Sequence, residues 1–274
     1  MAGSGHGNQE QDCDVAGLIR RIAADPGRHI PLPAMLNLRD VGGYPVAGGG
    51  VIAWRTLLRS DAPRLIDDGA LDVLAGLNLR TVVDLRTSAE AQIAPSPLDG
   101  LADRGTTTAH VSLIGEDMTV LPADLAAIYQ FIVDSHGAAI GAAIRFLARP
   151  GALPGLVHCA AGKDRTGIVV ALALACAGVP DRFIAADYAL SSLYLDLWRT
   201  PAIGRVRQNS GMDDRLTMAL MVCPPELILG VLARARQRGG TIEGYLAGHG
   251  VTSADVGMLR AALVTTSSSR SGVR

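Results

Sequence analysis

The sequence predicts an α/β domain, and three observations carry that prediction. A β-branched run at Thr81–Leu85 and a short run at Gly155–His158 read as buried strands. Segments with apolar residues at helical spacing alternate with them. The stretch Ile168–Ala177 is apolar all round, as a helix packed on every side must be. Strands alternating with helices favour a sheet covered on both faces. A length of 274 residues, with 49% hydrophobic and 19% charged residues, supplies a core and excludes global disorder.

Along the chain, residues 1–13 read as a disordered tail, and 265–274, rich in Ser and Thr, as another. Residues 14–264 contain neither a long linker nor a fixed-period repeat and form one domain. Tyr44–Val46 and Val51–Arg55 flank Ala-Gly-Gly-Gly, a hairpin pattern. A helix follows near Asp67–Ala75, then the strand Thr81–Leu85 and a weaker strand at Ala109–Leu113. Pro122–Asp134 and Ala138–Ala148 carry helical periodicity. After Gly155–His158 comes the buried helix, which Gly178-Val-Pro180 ends. Phe183–Trp198 is a further amphipathic helix. Pro225–Arg238 begins with Pro and ends at Gly239-Gly240. Thr252 and Ser253 cap a last helix to about Leu263.

Composition also limits function. A net charge of −1 makes no electrostatic case for nucleic acid as a partner. The longest apolar run, Ile168–Val179, is about half the ~20 residues a membrane span requires. No apolar leader opens the chain, which predicts a cytoplasmic location. Four cysteines (13, 159, 176 and 223) without a C-x-x-C pair argue against a disulfide scaffold or a zinc knuckle. No metal or organic cofactor is expected. Lys163 is the one lysine among 25 basic residues.

The chemistry lies in Leu156-Val-His-Cys-Ala-Ala-Gly-Lys-Asp-Arg-Thr-Gly-Ile168. A strand ends at His158, a seven-residue loop runs from Cys159 to Arg165, and Thr166-Gly167 opens the apolar helix. Successive loop amides (Ala160, Ala161, Gly162, Lys163, Asp164, Arg165 and Thr166) and a helix N-terminus then surround one space, which suits an anion. The same surroundings favour a thiolate at Cys159. Arg165 can fold back and grip two phosphate oxygens. Attack on phosphorus would give a phosphocysteine, hydrolysed in a second step, with Thr166 bonding the departing sulfur. His158 reads as a buried residue that supports the loop. Cys176 and Cys223 read as packing residues.

The motif H-C-x5-R-T resembles the signature of the cysteine-dependent protein tyrosine phosphatase superfamily. The fuller His158-Cys-Ala-Ala-Gly-Lys-Asp-Arg-Thr-Gly167 is similar to its bacterial PtpB-type branch. Asn37-Leu-Arg-Asp-Val-Gly-Gly-Tyr44, Leu58-Arg-Ser-Asp61, Val83-Asp-Leu-Arg-Thr87, Asp187-Tyr-Ala-Leu-Ser191 and Gly244-Tyr-Leu246 resemble that branch too. The likeness spans roughly residues 35–263. It implies the tyrosine-phosphatase fold, a central mixed sheet flanked by helices, with a C-terminal helical lid. It implies a phosphorylated substrate, either a phosphoprotein or a phosphoinositide, with Lys163 adding charge for a polyanion.

Some assignments stay open at this level. The mobile Trp-Pro-Asp loop of many tyrosine phosphatases is missing, since Trp54 and Trp198 each precede Arg. Asp164, inside the loop, and Asp84, at a strand end, are the two candidates for the general acid, and loop proximity favours Asp164. Asn37, Arg39 and Asp40 suit either a structural network or substrate contact. Residues 192–222, with Trp198, Pro201, Met212, Met218 and Met221, suit either lid helices or ordinary packing. A small-molecule phosphatase for a sugar, inositol or nucleoside phosphate is the alternative function. A rhodanese-type sulfurtransferase is a further alternative that the Arg-Thr-Gly helix start disfavours.

Overall fold

The computed structural model describes residues 6–63, 66–115, 124–196 and 222–266. Its elements are α1 (His6–Ala23), β1 (Arg39–Asp40), β2 (Val51–Ile52), β3 (Leu57–Ser60), α2 (Asp68–Gly76), β4 (Thr81–Asp84) and α3 (Ser88–Ile93). A 3-10 segment, Pro97–Arg104, leads to β5 (Thr107–His110), α4 (Leu125–Ser135), α5 (Gly137–Ala148) and β6 (Gly155–His158). Then come α6 (Asp164–Cys176), α7 (Asp181–Asp196), α8 (Pro225–Gly239), α9 (Ile242–Ala247), α10 (Ser253–Leu263) and β7 (Val264–Thr265).

Among the described residues, five strands form one sheet in the order β1-β3-β6-β4-β5. β3, β6, β4 and β5 run parallel, and β1 closes one edge antiparallel to β3. The register aligns Ser60, His158, Asp84 and His110 in one row at the C-terminal ends of the parallel strands. In open α/β sheets that edge is where ligands bind. Cys159 is the next residue after the central member of the row.

The two-residue period of the strands divides the core. Leu58, Val82 and Leu156 face a small cluster with Leu38, Leu74 of α2 and Leu98 of the 3-10 segment. Their neighbours Leu57, Val83 and Val157 face the large cluster built from α4, α5, α6 and α7. Each of these six is fully buried, contributing about 1.5–3 kcal/mol relative to exposure.

Several expectations shift. α1 starts at His6, so the predicted 1–13 tail is helical from there on. Leu18 and Ile22, four residues apart, give it an apolar stripe in the large core, and Arg20 and Arg21 in its last turn suit the helix dipole. At the other end, Thr265 is not tail but the end of β7, paired with Val51. The expected hairpin is present, with Pro45 and Val51 bridged antiparallel, Ile52 N donating to Tyr44 O at 2.8 Å and Val46 N to Gly50 O at 3.1 Å, and β2 takes β7 as a further partner. Gly50 permits this, because a Cβ there would lie 2.7 Å from Thr265 O. The strand expected at Ala109–Leu113 is β5, which begins two residues earlier, at Thr107, and ends at His110. The polar Thr107 and Thr108 pair with β4 at the sheet edge, and Val111 and Leu113 are buried beyond the strand. Of the segment proposed as a lid, 197–221 lie outside the described residues, with Trp198, Pro201 and Met212, Met218 and Met221 among them. Residues 267–274 also lie outside.

Candidate active site

The helix after Cys159 begins at Asp164, with Lys163 as its N-cap. The loop is thus Cys159–Lys163, and Arg165 stands in the first helical turn rather than in the loop. Asp164, an acid in that turn, suits the positive end of α6.

The loop carbonyls turn into the protein, where each one is held. Ala62 N donates to Ala160 O at 3.1 Å. Asn37 Nδ2 donates to Ala161 O and Gly162 O, both at 3.1 Å. Arg59 Nη2 donates to Gly162 O at 2.9 Å and to Lys163 O at 3.3 Å. In a planar trans peptide the following N–H points opposite to the carbonyl. The amides of Ala161, Gly162, Lys163 and Asp164 therefore face away from the core, toward one concave space beside Cys159. Gly162, at φ +65°, makes this fold feasible. A Cβ there would lie 2.2 Å from the Ser60 backbone.

The residues behind the loop form one buried polar network. Asp187 Oδ2 accepts from Arg59 Nη1 at 2.7 Å, and its Oδ1 accepts from Arg39 Nε at 3.3 Å and Tyr44 OH at 2.9 Å. Arg39 also reaches Asn37 Oδ1 and Ser191 Oγ. Burial would raise the Asp187 pKa, but the two guanidiniums hold it at about 2. Asp61 fixes the other end by accepting from the Leu36 and Asn37 amides and from Ser60 Oγ. Asp40 accepts from the Gly42 and Arg55 amides. Asn37, Arg39 and Asp40 are fully buried, so of their two sequence readings the structure favours the network.

Arg165 meets a partner that sequence reasoning missed. Its Nη1 and Nη2 donate to Glu90 Oε2 at 2.5 Å and Oε1 at 2.8 Å, a parallel fork. Glu90 also closes a capping box with Thr87 at the start of α3. Burial works to raise the Glu90 pKa, yet the Arg165 fork overrides it and holds the carboxyl at about 2. The Thr87-Ser-Ala-Glu90 spacing is a readable capping signal, although nothing in it names Arg165.

Asp84 is occupied. Arg86 Nε lies 3.0 Å from both carboxylate oxygens, Arg86 Nη2 is 2.7 Å from Oδ2, and the Arg86 amide donates to Oδ1 at 3.0 Å. Burial pushes its pKa up, but the Arg86 bonds outweigh that and keep the group below the usual carboxylate range. Both oxygens of the Asp84 carboxylate are thus engaged by Arg86. His158 is fully buried, with Nδ1 3.4 Å from Cys159 O and 3.8 Å from Asp84 Oδ1. Burial lowers its pKa, which suits a neutral support and not a base.

Asp164 is the carboxylate left at the cradle. Tyr129 OH donates to its Oδ1, and Lys163 Nζ lies 3.3 Å from the same oxygen. Cys159 is 2% exposed, and Lys163 is fully buried, as is Thr166. Thr166 Oγ1 has no hydrogen-bond partner among the described residues. The structure thus brings His158, Cys159, the loop amides, Asp164, Arg165 and Thr166 to one place, with Asp84 beneath them. No group of three or more metal-ligating side chains occurs among the described residues. A thiol at the head of an amide cradle, a fixed guanidinium and a nearby carboxyl can together bind a tetrahedral oxyanion and displace one of its ester oxygens.

A model of the tyrosine phosphatase family matches residues 30–265. A tyrosine-protein phosphatase of Nostoc commune is 31% identical over 211 residues, covering 72% of this chain and 70% of that protein. The triple specificity protein phosphatase PtpB of Mycobacterium tuberculosis is 29% identical over an alignment of 278 residues, 85% of this chain and 98% of that one. Among solved structures, TpbA of P. aeruginosa matches with a TM-score of 0.38 at 17% identity, over 82% of this chain and 98% of that chain.

Proposed function

The chain belongs to the tyrosine phosphatase family and is a protein tyrosine phosphatase, and from that premise we propose the part each residue plays. Cys159 attacks phosphorus as the thiolate, in line with the ester oxygen. The amides of residues 161–164 and the Arg165 guanidinium hold the other three oxygens, whose charge they stabilise through the transition state. Asp164 gives its proton to the leaving oxygen as the S–P bond forms and the P–O bond breaks. Water then attacks the phosphocysteine and passes a proton to the Asp164 carboxylate. The P–S bond breaks, phosphate leaves, and Thr166 Oγ donates to the departing thiolate.

The observation that supports this reading most is the inward turn of the loop carbonyls onto Ala62, Asn37 and Arg59. It presents a row of amides beside a cysteine before any substrate arrives. The triple specificity relative, matched over nearly its whole length, favours substrates beyond phosphotyrosine, including other phosphorylated residues. The buried Lys163 beside Asp164 adds positive charge to the cradle, which favours anionic substrates such as phosphoinositides.

Cys159→Ser tests the mechanism. Hydrolysis of an aryl phosphate should vanish while vanadate still binds, since the cradle is mostly backbone. Retained turnover in that variant would overturn the covalent route. A panel of phosphotyrosine, phosphoserine and phosphoinositide substrates then ranks the specificities.

A further inference from the structure

Asp164 is held from a direction that the motif does not reveal. Tyr129, in the middle of α4, donates its hydroxyl proton to Asp164 Oδ1. Its oxygen in turn lies 2.7 Å from Tyr188 OH on α7. Because the Tyr129 proton is committed to the carboxylate, Tyr188 is the donor of the second bond. The two rings meet edge to face, with centroids 6.3 Å apart, and each is 1% exposed. Tyr188 can come this close because position 167 is glycine. A Cβ there would sit 2.9 Å from Tyr188 Cδ2. The last glycine of the HCAAGKDRTG motif thus leaves room for the ring that steadies Tyr129.

Resting on the reading of Asp164 as the general acid, we propose that Tyr129, braced by Tyr188, is the positioning residue for that acid. Tyr129 and Lys163 both lie on Oδ1, so the transferable proton sits on Oδ2. In the first step the Oδ2–H bond breaks and its proton goes to the leaving oxygen. The negative charge left on Asp164 meets two donors already in place, with no reorganisation. In the second step Oδ2 takes a proton back from the attacking water. Tyr129 and Tyr188 remain protonated donors throughout. Burial and the nearby Asp164 charge push both phenols well above their ordinary range. The charged and titratable groups facing this cluster among the described residues include Lys163 at the N-cap of α6, Arg165 in its first turn, Arg59 on β3 and Cys223 ahead of α8.

Tyr129→Phe keeps the ring and removes the hydroxyl. Its kcat should fall about tenfold on phenyl phosphate, whose leaving group needs a proton, and hardly at all on dinitrophenyl phosphate, whose leaving group does not. Vanadate affinity should be unchanged. Tyr188→Phe should give a smaller loss with the same bias, and it stands in if the first variant does not fold. A merely structural role would lower both substrates and vanadate binding together, and that result, or no bias at all, overturns the proposal. Asp164→Asn is the control arm. If it discriminates between the two substrates and the tyrosine variants do not, positioning fails while the acid assignment stands. If Asp164→Asn itself shows no discrimination, the acid assignment falls, and the proposal with it.

Discussion

Arg165 and Glu90, 75 positions apart, meet in a two-bond fork of 2.5 and 2.8 Å. The fork sets the plane of the guanidinium that, in the proposed mechanism, holds the phosphate oxygens. Removing half of it with Glu90→Gln should leave the fold intact and let Arg165 swing. A misplacement of about 1 Å at a reacting centre can cost about 10²-fold. A loss of kcat/KM of that order, with the melting temperature little changed, is the expected result in steady-state assays.

The Asp187 carboxylate, held between Arg39 and Arg59, contributes to acid stability. Its folded pKa of about 2 lies below the ordinary 3.8, so the folded state favours the deprotonated form. The stabilisation is complete above the ordinary value and is lost as pH falls toward 2, about 2 kcal/mol in all. Denaturant titrations at pH 5 and pH 2.5 should show that decline. Asp187→Asn should lower stability at pH 7 and flatten the decline, because two buried guanidiniums lose their counter-charge.

Gly162→Ala tests the loop geometry. The new methyl would have to occupy space 2.2 Å from the Ser60 backbone, at a φ of +65°. The left-handed conformation alone costs about 1–2 kcal/mol, and the collision adds to it. Stability should drop by at least about 2 kcal/mol in chemical denaturation, and vanadate binding should weaken with it.

Asp84 and Arg86 form a buried pair, 5% and 4% exposed. Asp84→Ala strands the guanidinium and should cost about 3–5 kcal/mol. Asp84→Asn, which can still accept from Arg86, should reduce turnover equally on phenyl and dinitrophenyl phosphate. A selective loss on the poorer leaving group would reinstate Asp84 as the proton donor.

The local part of the site was legible in the sequence, since the Cys159–Thr166 run carries its own geometry: a strand end, a glycine for a positive φ, and a helix start. The β-branched strand Thr81–Asp84 and the buried α6 announced themselves by composition. The partners did not. Nothing in periodicity pairs Arg165 with Glu90, Arg59 with Asp187 or Asp164 with Tyr129, because those meetings are made by the sheet order and the packing of α4 and α7. β3 escaped notice for a related reason. Its four residues include Arg59 and Ser60, both buried, which an apolar pattern search passes over. The loop was read two residues too long because Asp164 and Arg165 look like loop residues until the helix dipole is counted.

The loop carbonyls are held by Asn37 and Arg59; Arg39 donates to Asn37 and to Ser191 of α7, and Arg59 donates to Asp187 of α7. The first and last of these residues emerge from the ribosome more than a hundred positions apart. A nascent chain that has already produced Cys159 and Arg165 still lacks the carboxylate that anchors Arg59. By the proposed mechanism, a chain that ends before α7 carries the signature motif without the carboxylate that anchors Arg59 beneath its loop. Any event that releases α7 from the finished enzyme should silence it without touching a reacting atom.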